Sequence, residues 1–253
     1  MTKKIKYFVG NWKMFGDFNS FKIIYKINKF CANSKKTLNK KKVVLCVPNT
    51  LLYYFKNKLK NKIISLGAQN CHHNSNYGAF TGSINASMLK KTGAEYIILG
   101  HSENRADGDT EKIIKKKIES SLKQNLSIIF CIGETLKQKN KGLTFSTLKK
   151  QIKGSIIKKF DLKKIIIAYE PVWSIGTNKI LKMNELRKII SFINKEYKKI
   201  FKTKRSPTVL YGGSVNDKNI SFFSSISEID GFLVGGASQS SKKFIDIIKN
   251  YYK

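Results

Sequence analysis

The chain has 253 residues, 41% of them hydrophobic and 26% charged, a composition that fills a full core and excludes a disordered polyelectrolyte. No apolar run approaches the roughly 18 residues of a membrane span, and the basic start Met1–Lys6 has no apolar stretch behind it, which argues against a cleaved leader. The net charge is +33, yet only Arg105, Arg187 and Arg205 among the 49 basic residues are arginines, which argues against a sequence-specific nucleic-acid reader that needs guanidinium forks.

In chain order, the first apolar run is Ile5–Gly10, and Asn11-Trp12-Lys13 follows it. Lys42–Val47 and Ile63–Ala68 are the second and third. The third opens into Gln69–Ser83, a polar stretch rich in Asn, Gly and His that is too long for a simple turn and is expected to be functional or an interface. Cys71-His72-His73 lies within it. Adjacent residues cannot all chelate one ion, so the expectation is loop or interface chemistry and no metal. Tyr96–Gly100 runs into His101-Ser102-Glu103, and Glu111–Gln124 has helical spacing. Ser127–Cys131 is the fifth run, followed by a helix over Leu143–Phe160. Ile165–Tyr169 leads into Glu170-Pro171. Over Asn184–Phe201 the apolar Leu186, Ile189, Ile190, Ile193 and Tyr197 recur at helical spacing, with Asn184 predicted as the capping residue. Thr208–Tyr211 runs into Gly212-Gly213-Ser214, and Gly231–Val234 into Gly235-Gly236.

Eight short runs, continuously apolar rather than alternating, read as buried parallel strands. Alternation with helices over about 250 residues predicts an α/β fold, a (β/α)8 barrel in a single domain over residues 1–253, with an open doubly wound sheet as the alternative. The four cysteines, Cys31, Cys46, Cys71 and Cys131, form no close pair and read as reduced thiols of a cytoplasmic protein.

In a parallel barrel the chemistry sits at the carboxyl ends of the strands. There this chain places Asn11 and Lys13, His101 and Glu103, Glu170, and glycines after the last two strands. A carboxylate and an imidazole suit proton transfer near neutral pH. Adjacent Gly-rich turns let backbone N–H groups cradle a phosphate, and Ser214 adds a hydroxyl. The scattered lysines read as drift toward A/T-rich codons on solvent-facing positions, with a polyanion-binding surface as the competing function; either way their field attracts anionic substrates.

Together, Asn11-Trp-Lys13, Ile98-Leu-Gly-His101-Ser-Glu103, Cys131-Ile-Gly-Glu134, Ala168-Tyr-Glu170-Pro-Val-Trp-Ser-Ile-Gly176-Thr, Leu210-Tyr-Gly-Gly-Ser214-Val and Gly231-Phe-Leu-Val-Gly-Gly236-Ala-Ser closely resemble the triosephosphate isomerase family, in family order and over nearly the whole chain. The resemblance implies an isomerase of dihydroxyacetone phosphate and D-glyceraldehyde 3-phosphate, an enzyme of glycolysis and gluconeogenesis that works through an enediolate. It implies Glu170 as the base, His101 as a neutral electrophile and Lys13 as the cation. Asn11 would position Lys13 and substrate, Glu103 would lie near Lys13, and backbone N–H groups of Gly176, Ser214, Gly235 and Gly236 would hold phosphate. It implies no metal or organic cofactor, a mobile lid over Pro171–Lys179 and a homodimer built on Gln69–Ser83, Thr81 included.

Some residues depart from the family pattern. Ser174 stands where alanine is usual, Asn178 where glycine is usual, and Ile180 replaces a commoner threonine at the hinge end. Ser83 and Asn104 replace a Glu and an Arg whose pairing across the dimer the resemblance implies, so a weaker dimer is expected.

Overall fold

In a computed structural model that describes residues 5–34, 40–177 and 179–253, eight parallel strands close on themselves in chain order. They are β1 Lys6–Asn11, β2 Lys41–Cys46, β3 Ser65–Ala68, β4 Tyr96–Leu99, β5 Ser127–Ile132, β6 Ile165–Tyr169, β7 Thr208–Tyr211 and β8 Gly231–Val234, and β8 pairs back onto β1. Each strand is buried on both sides. Val9, Val44, Ile98, Ile129, Ile166, Ala168, Leu210 and Leu233 fill the barrel interior, while alternate residues such as Phe8, Leu45, Ile97, Phe130, Ile167 and Phe232 face the surrounding helices. Two apolar faces per strand explain the continuous runs in the sequence.

The helices of the outer layer are α1 Phe21–Asn33, α2 Asn49–Lys58, α3 Ala86–Lys91, α4 Ser102–Ala106, α5 Glu111–Lys123, α6 Leu136–Asn140, α7 Thr144–Ser155, α8 Met183–Phe201, α9 Ile220–Ser224 and α10 Ser241–Tyr251. The barrel is the predicted closed form, not the open sheet.

Several expected boundaries move. β3 begins at Ser65 rather than Ile63, because the N–H groups of Ile63 and Ile64 donate to the Asn28 side chain on α1 instead of to a strand. β4 stops at Leu99, since Gly100 turns into the left-handed region (φ +72°). The helix expected over Leu143–Phe160 ends at Ser155; Ile156 turns extended and packs into the core with Phe160. Asn184 does not cap its helix. The chain arrives extended at Lys182, α8 starts at Met183, and no side chain caps it.

Among the described residues no helix is long and apolar enough to cross a membrane. All four cysteines are buried free thiols. Burial raises Cys31 and Cys71 to about 11 and Cys46 further, which keeps them protonated and unreactive. Cys71 turns its sulfur inward to the Ser121 hydroxyl at 3.7 Å, while the His72 ring stacks on His73 and Phe80.

Candidate active site

The carboxyl ends of the strands open into a cavity of about 840 Å³ lined by Asn11, Lys13, His101, Glu170, Ile175, Gly176, Gly212–Ser214, Gly235 and Gly236 among others. Eight of the nine residues expected at the site line it. Glu103 stands beside it, joined through two of them.

His101 caps α4. Its Nδ1 accepts the N–H of Glu103 at 3.2 Å, so in the neutral ring the proton resides on Nε2. That nitrogen faces the Glu170 carboxylate, 3.5 Å from Oε1. Both side chains are buried, and among the described residues Glu170 Oε2 has no hydrogen-bond partner. A proton acceptor and a proton donor thus point into the same space from β6 and β4.

Close packing places Glu170. A Cβ on Gly133 would fall 1.7 Å from the Glu170 carbonyl oxygen, and one on Gly212 would fall 2.5 Å from Glu170 Cγ, so bare backbone is required at both positions. Gln151 on α7 holds Gly133 from behind, accepting its N–H at 2.9 Å and donating to its carbonyl at 3.0 Å. Arg105 ties Gly100 after β4 to Cys131 on β5 through their carbonyls, at 2.7 and 3.3 Å. Burial, and next the Glu170 carboxylate, push the Cys131 thiol well above its ordinary pKa. It is a buried, neutral neighbour of Glu170.

Lys13 has a left-handed backbone (φ +56°), which a lysine adopts only where its surroundings enforce it. Its N–H donates to Asn11 Oδ1 at 3.0 Å, and its ammonium pairs with Glu103 Oε1 at 2.5 Å. The preceding Trp12 is clamped to the segment after β8: its indole donates to the Ser238 carbonyl at 3.0 Å and its own carbonyl accepts from Gln239 at 2.8 Å.

Opposite lies an open cradle. Among the described residues a Cβ on Gly176 or Gly236 would meet nothing within 4 Å, and one on Gly235 would meet only Lys13 Cε, at 4.0 Å. Room over bare backbone close to an ammonium suits a tetrahedral anion.

The segment from Pro171 covers the cavity. Val172–Ser174 form a 3-10 turn, and Ile175 and Ile180 face the cavity as its apolar underside. Trp173 packs on the core, and its indole donates to Glu134 Oε1 at 2.9 Å. Lys139 lies 3.8 Å above the same ring and pairs with Glu185 at 2.9 Å. Burial outweighs these bonds and raises the Glu134 pKa, while Tyr169 donates a further bond to it. Asn178 lies outside the described residues.

In the sequence Gly133, Glu134 and Ser238 stand within the quoted motifs with no role assigned, and nothing there singles out Gln151, Lys139 or Gln239. Their partners are 18 to 227 positions away in the chain, beyond any local pattern.

A family model described as triosephosphate isomerase matches residues 6–251. The chain is 39% identical over 258 residues to the triosephosphate isomerase of Dictyoglomus thermophilum, covering 99% of this chain and all of that one. It is 36% identical over 244 residues to the enzyme of Endomicrobium trichonymphae, covering 95% and 96% of the two chains. The crystal structure of triosephosphate isomerase from Bartonella henselae superposes with a TM-score of 0.88 at 32% identity, covering 98% of this chain and 99% of that one.

Proposed function

The chain belongs to the triosephosphate isomerase family and is an isomerase of triose phosphates; from that premise we propose that Glu170, His101 and Lys13 carry the reaction, with Asn11 and Glu103 positioning them. The Glu170 carboxylate takes a proton from the carbon α to the substrate carbonyl. His101 Nε2–H hydrogen-bonds the carbonyl oxygen as it becomes an enediolate oxygen, and the Lys13 ammonium stabilises the same charge. Glu170 then returns its proton to the neighbouring carbon. Because Nδ1 is engaged by the Glu103 N–H, the ring presents Nε2 to the substrate oxygen. This base and neutral electrophile are the established chemistry of the family. The proton lost lies next to a carbonyl, so the scheme needs neither metal nor organic cofactor.

The backbone N–H groups of Gly176, Ser214, Gly235 and Gly236 hold the phosphate. The lid seated by Trp173 keeps water from the enediolate, which would otherwise eliminate phosphate. The single observation that carries the assignment is the 3.5 Å approach of the buried Glu170 carboxylate to His101 Nε2. Glu170→Asp withdraws the carboxylate by one bond, about 1.5 Å. A coupled assay with glyceraldehyde 3-phosphate is expected to show kcat reduced roughly 10²-fold or more at little changed KM. Unchanged kcat would remove Glu170 from the role of base.

We read the chain as one domain that works as a homodimer through Gln69–Ser83. Met14, Tyr77 and Phe80 support this, being 100, 66 and 42% exposed on the single chain. Thr81 is exposed beside them. With Ser83 and Asn104 in place of a charged pair, and +33 on each subunit, the dimer is weaker than a neutral one. Four buried free thiols suit the reducing cytoplasm.

A further inference from the structure

β4 leaves the barrel before β5 does. It ends at Leu99, opposite Phe130, and Gly100 turns away in the left-handed region. β5 continues to Ile132, and Gly133 follows. Along a strand, successive residues turn their N–H and C=O to opposite sides. Ile132 and Glu134 face β6, their carbonyls accepting the N–H of Glu170 at 2.8 Å and of Val172 at 3.0 Å. Gly133 between them therefore faces the side that β4 has vacated, where a cavity of about 470 Å³ opens. The buried Gln151 side chain of α7 stands there in place of a strand. Its Oε1 accepts the Gly133 N–H at 2.9 Å and its Nε2 donates to the Gly133 carbonyl at 3.0 Å, the acceptor and donor that a peptide group would supply.

We infer that Gln151 is a positioning residue for the reaction: by holding Gly133 in place of the missing strand, it fixes the backbone from which Glu170 works. This rests on the reading above that Glu170 is the base. Glu170 is seated directly on Gly133, since a Cβ there would fall 1.7 Å from the Glu170 carbonyl oxygen and 2.6 Å from its carbonyl carbon. The contact forbids a side chain, and glycine has the widest choice of backbone conformation of any residue. Its hydrogen bonds to Gln151 remove that freedom on the edge that no strand covers. Without them Gly133 can tilt into the cavity, and the base follows. Catalytic groups must be held within about 0.5 Å of the productive geometry, and a slip of that size corresponds to about tenfold in rate. Gly235 and Gly236 of the cradle follow β8 and do not depend on this support.

The test is steady-state isomerisation of glyceraldehyde 3-phosphate by Gln151→Met, Gln151→Glu and Ile152→Val from acid to alkaline pH, with inhibition by inorganic phosphate and a thermal melt for each. Gln151→Met keeps the length of the side chain and loses both bonds. It is expected to lower kcat about tenfold, with KM and the phosphate inhibition constant within about twofold of wild type. Ile152→Val, its buried neighbour on α7, lowers Tm and leaves kcat unchanged. Gln151→Glu is the conservative rescue. Protonated, its carboxyl accepts the N–H and donates to the carbonyl as glutamine does; ionised, it has no donor. Burial and the facing carbonyl favour the protonated form. Its kcat relative to wild type is expected to approach unity at acid pH and to fall as the carboxyl ionises, while the Gln151→Met ratio stays flat. Arg105, Asp109, Glu111, Cys131 and Glu170 share the cavity with position 151, and the Lys149–Glu196 pair lies between α7 and α8. All are common to wild type and variants, so the ratio isolates the new carboxyl.

A Gln151→Glu enzyme as impaired at acid pH as at alkaline pH overturns the inference, and that comparison stands even where Gln151→Met does not fold. Wild-type kcat in Gln151→Met overturns it too. A loss of kcat in Ile152→Val that matches its loss of Tm assigns the effect to packing of α7 instead. Glu170→Asp, run beside them, separates the two readings. Wild-type kcat there removes Glu170 as the base, whereas a crippled Glu170→Asp beside an unimpaired Gln151→Met removes Gln151 alone.

Discussion

Adding one methyl group at Gly212 presses on the carboxylate arm proposed to do the chemistry. The new Cβ would lie 2.5 Å from Glu170 Cγ, 3.3 Å from Cδ and 3.2 Å from Oε1. Carbon atoms in favourable contact are about 3.5–4.0 Å apart, so the arm must withdraw by about 1 Å. A displacement of that size at a reacting group costs about 10²-fold in rate, or about 2.7 kcal/mol in the barrier. The Gly212 backbone is not left-handed, so alanine fits it without strain and Tm is expected to move by only a few degrees. Gly176, Gly235 and Gly236 are untouched, so KM is expected to stay within about threefold. The assay is steady-state isomerisation of glyceraldehyde 3-phosphate through a coupling dehydrogenase, beside a thermal melt. A folded Gly212→Ala enzyme with wild-type kcat would show that Glu170 is not held by this contact. A tenfold rise in KM with kcat intact would place the contact in binding instead.

Glu134 provides a pH test. Its folded pKa is raised above its unfolded value by burial. The native state therefore binds the proton more tightly, and the stability this group contributes is present at low pH and lost as pH rises through the raised pKa. Glu134→Gln, which can still accept from Trp173, is expected to gain stability over the wild type from acid toward neutral pH; equal melting curves across that range would refute this. Lys139→Met removes the cation above Trp173 and is expected to lower kcat/KM severalfold, with Lys139→Arg restoring it; a failure of arginine to restore it would assign the loss to packing. The lysine field predicts that kcat/KM for the anionic substrate falls severalfold between low salt and about 0.2 M, with kcat little changed. A flat salt profile would remove electrostatic steering. Sedimentation is expected to show dissociation to monomers at about micromolar concentration, and an intact dimer at nanomolar concentration would refute the weakening assigned to Ser83 and Asn104.

The sequence by itself determined what kind of elements this chain forms and which residues stand at their ends. The eight apolar runs announce buried strands because each strand is covered on both sides, and the residues just beyond them are polar or glycine because that end of the barrel is open. Residues 11, 13, 101, 170, 214, 235 and 236 were therefore legible as a set, Gly176 followed from the family resemblance, and all of them line the cavity. The tertiary structure decided what holds them in place: Gly133 and Gly212 against Glu170, Gln151 behind Gly133, and Glu134 and Lys139 on either side of Trp173. It also decided where β3 begins, through Asn28, and it denied Asn184 its capping role. Periodicity and turn chemistry act between neighbours in the chain and can be read along it. These supports join residues tens to hundreds of positions apart, and their distances exist only once the barrel has closed.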